Sequence, residues 1–341
     1  MTSNPIVDLR SDTLTRPDDA MRRAMATAEV GDDTFREDPT VRRLEERAAA
    51  IVGTEGALFV PSGIMGNEIA LHVLVPPGSE VICEASSHII QWEMAAMAVL
   101  SGLLPRPVPG TRGLMEAQDV EAAVNQGVEF RTPTGALSVE NTANMAGGSV
   151  YDRDQMEALL AVAARHGLPT HLDGARIFNA AVALGVEVSD LVAGFDATMF
   201  CLSKGLGAPA GSMLCGSAAF ITEAWRVRRM LGGGMRQIGV LAAAGLLALE
   251  EGPAKLAGDH RRARRLAAGL EAHPGVTVEA DLVETNIVIF AVDDAPQWQA
   301  TLEAGGVLSV ALDRQRLRFV THSDVDDRSV DHALAVLETI S

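Results

Sequence analysis

The chain has 341 residues, which suits one large unit plus a small one rather than a single small domain. Acidic residues outnumber basic ones by 45 to 28, and a net charge of −17 would be repelled by a phosphate backbone, which argues against general nucleic-acid binding. With 48% apolar and 21% charged residues the composition is that of a folded core, and apolar stretches such as 240–249 are far shorter than the roughly 20 residues a bilayer span needs.

In chain order, residues 1–20 are polar, lack a clear period, and read as an arm lying on the main body. No basic-then-apolar leader opens the chain, since Asn4, Pro5, Asp8 and Arg10 interrupt the first ten residues, so a cytoplasmic location is expected. A short apolar strand is predicted at 57–60 and a helix at 63–74, followed by a strand at 81–83 and a helix over 88–100. An amphipathic helix follows at 153–166, with Asp152 or Asp154 as cap and Gly167 as stop. Strands at 169–172 and 197–202, with a third at 211–215, continue an alternation that implies a mostly parallel sheet between helices. Helices at 235–251 and 254–272 then precede short strands at 276–279, 286–290 and 316–320, and a closing helix starts at Asp326. The expected organisation is therefore an arm (1–20), a large α/β domain (21–250) and a small C-terminal α+β domain (251–341). Cys83, Cys201 and Cys215 are odd in number and lie in apolar runs, as buried thiols do.

Lys204 and Lys255 are the only lysines, so 26 of the 28 basic residues are arginine and amine chemistry has two candidates. Ligands of an open α/β sheet sit at the carboxyl ends of its strands. Two such ends carry His171-Leu172-Asp173-Gly174-Ala175-Arg176 and Phe200-Cys201-Leu202-Ser203-Lys204-Gly205. Asp173 in isolation also reads as a helix cap and Lys204 as a surface lysine. Together they suit a lysine Schiff base opposite a carboxylate that holds a protonated ring nitrogen, the arrangement of pyridoxal 5'-phosphate (PLP) enzymes. Pro61-Ser62-Gly63-Ile64-Met65-Gly66-Asn67 reads either as an ordinary strand-to-helix turn or as the phosphate cradle such a site needs. The spacing of Gly205-Leu206-Gly207-Ala208-Pro209-Ala210-Gly211 is wrong for a dinucleotide fingerprint. No metal-ligand cluster with convincing spacing stands out, and Arg261, Arg262, Arg264 and Arg265 read as an exposed helix face.

The sequence resembles the low-specificity L-threonine aldolases, within the PLP-dependent β-eliminating lyases and aldolases of the aspartate aminotransferase fold, fold type I. The likeness runs from Asp8-Leu9-Arg10-Ser11-Asp12-Thr13 to Arg318-Phe319-Val320-Thr321-His322, by way of Gly31-Asp32-Asp33, Glu37-Asp38-Pro39-Thr40, Glu140-Asn141-Thr142 and Gly232-Gly233-Gly234-Met235-Arg236-Gln237. The resemblance implies a seven-stranded-type sheet and cleavage of L-β-hydroxy-α-amino acids to glycine and an aldehyde. A PLP-dependent β-eliminating lyase or an aminotransferase of the same fold is the alternative. It implies that Lys204 carries PLP, that Asp173 faces the ring nitrogen, and that His88 stacks on the ring near the substrate hydroxyl. Ser62, Gly63 and Ile64 would hold the phosphate, with Ser203 and Arg176 also at the cofactor. Arg176 would further join Ser11 and Arg318 around the substrate carboxylate. Arg229, where many relatives carry lysine, and Arg236 match basic positions that approach the site from a neighbouring subunit, and relatives are mostly homotetramers built as dimers of dimers. The implied partner is a small amino-acid substrate, with no nucleic acid, membrane or metal.

Departures from the family pattern are Ala143 in place of a histidine, Phe35-Arg36 in place of Tyr-Gly, Trp92 in place of tyrosine, and Ile64 in place of threonine. They lead to the expectation of a less polar side-chain pocket that favours bulky or aromatic, phenylserine-like substituents.

Overall fold

Short runs buried along their whole length, such as Ala197–Cys201 and Ser212–Gly216, alternate with capped helices, which is how a sheet covered on both faces is encoded. In the computed structural model, which describes residues 6–127 and 130–340, they form a seven-stranded sheet. Its order is Gly56–Val60, Ser212–Gly216, Ala197–Cys201, Thr170–Asp173, Thr134–Glu140, Glu80–Glu84, Leu104–Val108. Ser212–Gly216 alone runs against the others. The carboxyl ends of the six parallel strands therefore meet along one rim.

Helix starts follow local chemistry. Ser62 accepts from the Met65 amide to open Gly63–Leu74, and Asp152 forms a capping box with Gln155 to open Arg153–His166. The large apolar cluster joins Leu44, Phe200 and Leu256, while a smaller one holds Met199, Leu214 and Phe220. A third cluster lies beneath a three-stranded antiparallel sheet, Val310–Ala311, Arg316–Val320 and Ile287–Ala291, where Phe290 and Phe319 sit 5.0 Å apart.

Several sequence expectations need correction. The helix expected over 88–100 is two short ones, His88–Gln91 and Ala96–Ser101, with Met94 and Ala95 in the left-handed region between them. The chain turns there because Glu93 is drawn into the interior by His88 and Asn67. The helices expected at 235–251 and 254–272 are one, Gly239–Glu271, with Pro253 inside it. Gly252 marks close contact rather than a break: a Cβ there would meet the Leu206 backbone at 2.9 Å. Position 250 lies inside this continuous helix. No strand forms at 276–279, where Thr277 makes an isolated bridge to Ala291. The Leu104–Val108 strand was hidden by Pro105 and Pro107, which its place at the sheet edge tolerates. The central strand Thr134–Glu140 was also not anticipated.

The arm is threaded into the structure. Val7–Asp8 pairs in parallel with Val307–Leu308, Val7 and Leu9 join the small cluster, and the helix Asp19–Ala26 begins before its expected end. Residues 1–5 of the arm and Ser341 lie outside the described residues. All three cysteines are buried and free.

Candidate active site

The rim encloses a cavity of about 420 Å³, within the range of small-molecule sites. Asp173, the last residue of its strand, faces into it together with Lys204, three residues beyond the neighbouring strand, and Ser203. Asp173 is buried and held at both oxygens: Asn67 donates to Oδ2 at 2.8 Å and the Ala175 amide to Oδ1 at 3.1 Å. The Lys204 carbonyl accepts from Thr15 of the arm at 3.2 Å, which fixes the loop that carries the amine.

Ser62, Gly63 and Ile64 line the same cavity at the start of the Gly63–Leu74 helix. Among the described residues the Gly63 and Ile64 amides have no protein acceptor, as expected of a helix N-terminus. A Cβ on Gly63 would stand 3.0 Å from Cys201 Sγ and 3.3 Å from Met199 Cε, so glycine lets this turn settle on the cavity floor. Free amides and a hydroxyl at one side, with a held carboxylate and a lysine at the other, match the phosphate, ring nitrogen and aldehyde carbon of PLP. The residues present fit that group.

His88 lines the cavity between two carboxylates. Its amide donates to Glu140 Oε2 at 2.6 Å, and its Nδ1 lies 2.7 Å from Glu93 Oε1, which also accepts from Asn67 at 2.8 Å. Burial opposes a charge on this ring, but the Glu93 hydrogen bond and the Asp173 charge outweigh it and His88 titrates above its ordinary value. Burial, reinforced by the Asp173 charge, pushes Glu140 up to about 7. Ligand atoms of His88, Glu93 and Asp173 lie within 4.8 Å of one another, close enough for a cation. The Asn67 amide nitrogen, however, donates to both carboxylates, and its N–H groups are the wrong polarity for a cation.

Arg176 closes the other side. Asp12 binds its Nε and Nη2, each at 2.7 Å, and Nη1 reaches Asn144 Oδ1 at 3.3 Å. Burial would raise the Asp12 pKa, but the Arg176 charge and hydrogen bonds prevail and hold it down at about 2. Arg318 Nη1 is also 3.3 Å from Asn144 Oδ1, so two guanidiniums converge on one amide oxygen. Burial, together with the Arg176 charge, lowers Arg318 to about 10, and its buried Nε has no partner among the described residues. Ser11 does not line the cavity; it caps the turn Asp12–Leu14, whose Thr13 does. Arg229 and Arg236 are exposed and off the cavity, with Arg236 hydrogen-bonded to Thr34 at 3.0 Å. Ile64 is on the cavity wall, whereas Ala143 is buried behind it in a small cleft beside Glu140 and Gly113.

Sequence reasoning assigned no role to Asp12, Asn67, Glu93 or Glu140. For two of them a signal existed: Asn67 and Glu93 interrupt otherwise apolar helical stretches.

The β-eliminating lyase family model matches residues 8–294. The chain is 44% identical to low-specificity L-threonine aldolase 1 of Arabidopsis thaliana, over 97% of this chain and 95% of that protein. It is 39% identical to the low specificity L-threonine aldolase of Escherichia coli (strain K12), over 94% and 95%. A threonine aldolase structure from Leishmania major superposes with a TM-score of 0.82 at 20% identity, covering 97% of this chain and 98% of that one. The two relatives and the solved structure cover nearly the whole chain, and the chain belongs to the β-eliminating lyase family, among the low-specificity L-threonine aldolases, with the PLP fold type I architecture.

Proposed function

We propose that the protein is a PLP-dependent aldehyde-lyase that cleaves L-β-hydroxy-α-amino acids to glycine and an aldehyde. The observation that carries this reading is the convergence on one cavity of Lys204, Asp173, the Ser62 turn and the Arg176 guanidinium. PLP, when bound, supplies an electron-accepting ring toward which the electrons of a bond at Cα can be drawn.

The chain's own residues do the rest. Lys204 is the covalent anchor, Asp173 keeps a proton on the ring nitrogen, and Ser62, Gly63 and Ile64 bind the phosphate, with Ser203 beside them. Arg176 and Arg318 bind the substrate carboxylate, with Ser11 shaping the turn next to them, and so orient the Cα–Cβ bond for cleavage. His88 Nε2 meets the β-hydroxyl, as a base or by placing a water. Glu140 holds the His88 backbone amide and Glu93 holds the ring at Nδ1, which fixes how the imidazole presents Nε2.

We further infer a cytoplasmic homotetramer, a dimer of dimers in which Arg229 and Arg236 of one chain approach the site of another. Their exposure away from the chain's own cavity is compatible with that role. Residues 21–250 form the large unit and 251–341 the small one, tied by the arm. The substrate side chain is bulky or aromatic, because Ile64 offers apolar surface on the cavity wall. An amino-acid panel assayed for released glycine and aldehyde tests the reading, with Lys204→Ala as control. Glycine plus benzaldehyde from phenylserine supports it, whereas pyruvate or a 2-oxo acid as the main product overturns it.

A further inference from the structure

The Asp12 carboxylate grips Arg176 at two points, and a third donor grips the carboxylate: Asn286 Nδ2 lies 3.2 Å from Asp12 Oδ2. Asn286 stands just before the strand Ile287–Ala291, and its Nδ2 also donates to the Thr321 carbonyl at 3.0 Å. An ionised carboxylate and a carbonyl only accept, so the amide nitrogen belongs on that side and Oδ1 on the other. Oδ1 accepts from Asn179 Nδ2 at 3.2 Å. The second hydrogen of that nitrogen is left for His260 Nε2, also at 3.2 Å. His260 Nε2 is therefore an acceptor, with the ring proton on Nδ1.

We propose that Asn286 is a positioning residue for the substrate-carboxylate clamp, and that Asn179 and His260 fix the direction in which it donates. Asn179 lies near the start of the helix Ile177–Leu184, where its backbone amide donates to the Arg176 carbonyl at 2.9 Å. Side chains and backbone thus close a ring, from Arg176 to Asp12, Asn286, Asn179 and back. Within it Arg176 turns Nε and Nη2 to Asp12, which leaves Nη1 for Asn144 and the cavity. Asn286 opposes rotation of the Asp12 carboxylate and so keeps the guanidinium plane where Nη1 can meet a substrate carboxylate. The inference rests on the proposed binding of that carboxylate by Arg176.

Burial gives the polarity its force. Asp12 and Asn286 are 0% exposed, and Asn179 and His260 2%, so a mismatched pair here would be shielded from water. Asn179 turned the other way would set its Oδ1 against Asn286 Oδ1. Asn286 turned the other way would set its Oδ1 against the Asp12 carboxylate and the Thr321 carbonyl. Only the observed orientation pairs each amide hydrogen of the two side chains with an acceptor. Burial, helped by the Arg264 charge, holds His260 down at about 4, so at neutral pH its ring is uncharged and can accept.

The test compares two amines on the PLP-loaded full chain, with binding followed by PLP absorbance. Glycine carries a carboxylate and methylamine does not. Asn286→Ala should weaken glycine about tenfold, the scale of one hydrogen bond to a charged group, and leave methylamine unchanged. Equal weakening of both amines, as from a merely structural role, or unchanged glycine affinity overturns the proposal. His260→Gln sets an accepting Oε1 where Nε2 stands and should bind glycine as the wild type does. His260→Leu removes the acceptor and should weaken glycine alone, by less than Asn286→Ala. Equal glycine affinity in the two His260 variants overturns the role given to His260. In nitrogen-labelled wild type at neutral pH, the histidine signal that His260→Gln lacks should show a protonated Nδ1 and a bare Nε2. An Nε2–H form overturns the proposal even where Asn286→Ala does not fold. Glycine bound no more tightly than methylamine by the wild type overturns the carboxylate role of Arg176 and this inference with it. Pyruvate or a 2-oxo acid in the product panel, with the glycine contrast intact, overturns the aldolase reading alone.

Discussion

The cavity has two ends built in different ways. At the proposed cofactor end, Asp173 closes one strand of a single sheet and Ser62 and Lys204 lie within three residues of the ends of two others, so its topology brings them together. At the carboxylate end, Asp12, Asn144, Arg176 and Arg318 come from the arm, two rim loops and the small sheet, and Asp12 and Arg176 are 164 positions apart. The first end survives as long as the sheet does. The second exists only once the arm and the small sheet have docked, so it should be the end that perturbation opens first.

Asp12→Ala is the strongest way to break this difference. It leaves the Arg176 guanidinium buried without its carboxylate, which costs about 3–5 kcal/mol. Denaturant unfolding should show that loss, and KM for the amino acid should rise while PLP absorbance at saturation persists. Loss of PLP binding with an unchanged KM would mean that the two ends are not separate in this way. At the opposite end, Asp173→Asn should lower kcat/KM by about a hundredfold to a thousandfold, because a neutral amide cannot stabilise a protonated ring nitrogen. Stability should fall less, by about 1–3 kcal/mol, because Asn67 and Ala175 bond different oxygens of Asp173 and the amide oxygen can keep only one of these two donors.

Acid sharpens the comparison with a smaller effect. Asp12 is held at about 2 in the fold against an ordinary value of 3.8, so its contribution is complete well above pH 4 and is lost as pH falls toward 2. The linkage amounts to about 2 kcal/mol. Chemical denaturation at stepwise lower pH should therefore show the wild type losing stability in that window. An Asp12→Asn variant, lacking the titrating group, should lose correspondingly less, and parallel curves for the two proteins would refute the assignment.

The same division explains what could be read in the sequence. Lys204 and Asp173 announce themselves because each ends an apolar run at a place where strands deliver ligand-binding groups. Ser62 is legible for the same reason, as a cap between a strand and a helix. Asp12 carries no such mark, since its partner is remote and the arm around it has no period. Glu93 sits inside a pattern that reads as one helix, and only the left-handed Met94 and Ala95 turn it inward. Gly252-Pro253 reads as a helix break, yet tertiary contact with Leu206 carries the helix through. Local chemistry was visible; groups defined by long-range docking were not.

Ala143 gives the finest probe of how the rim sets substrate choice. It lies behind Asn144, and a Cβ on Gly113 would come within 2.9 Å of the Ala143 Cβ, so the space behind the wall is already filled. A larger polar side chain at this position must push the Gly113 turn outward or swing past Asn144 into the cavity. Gly113 has a φ of +73° in a turn closed by the Thr111–Leu114 bridge, which resists the first course. The second brings a hydrogen-bonding group toward the substrate hydroxyl and takes room from the β-substituent. Ala143→His should therefore move the phenylserine-to-threonine ratio of kcat/KM toward threonine by about tenfold, the scale of one pocket contact. If the ratio stays fixed while the variant folds and binds PLP normally, the cleft behind Asn144 does not set it and the apolar Ile64 wall is the next place to test.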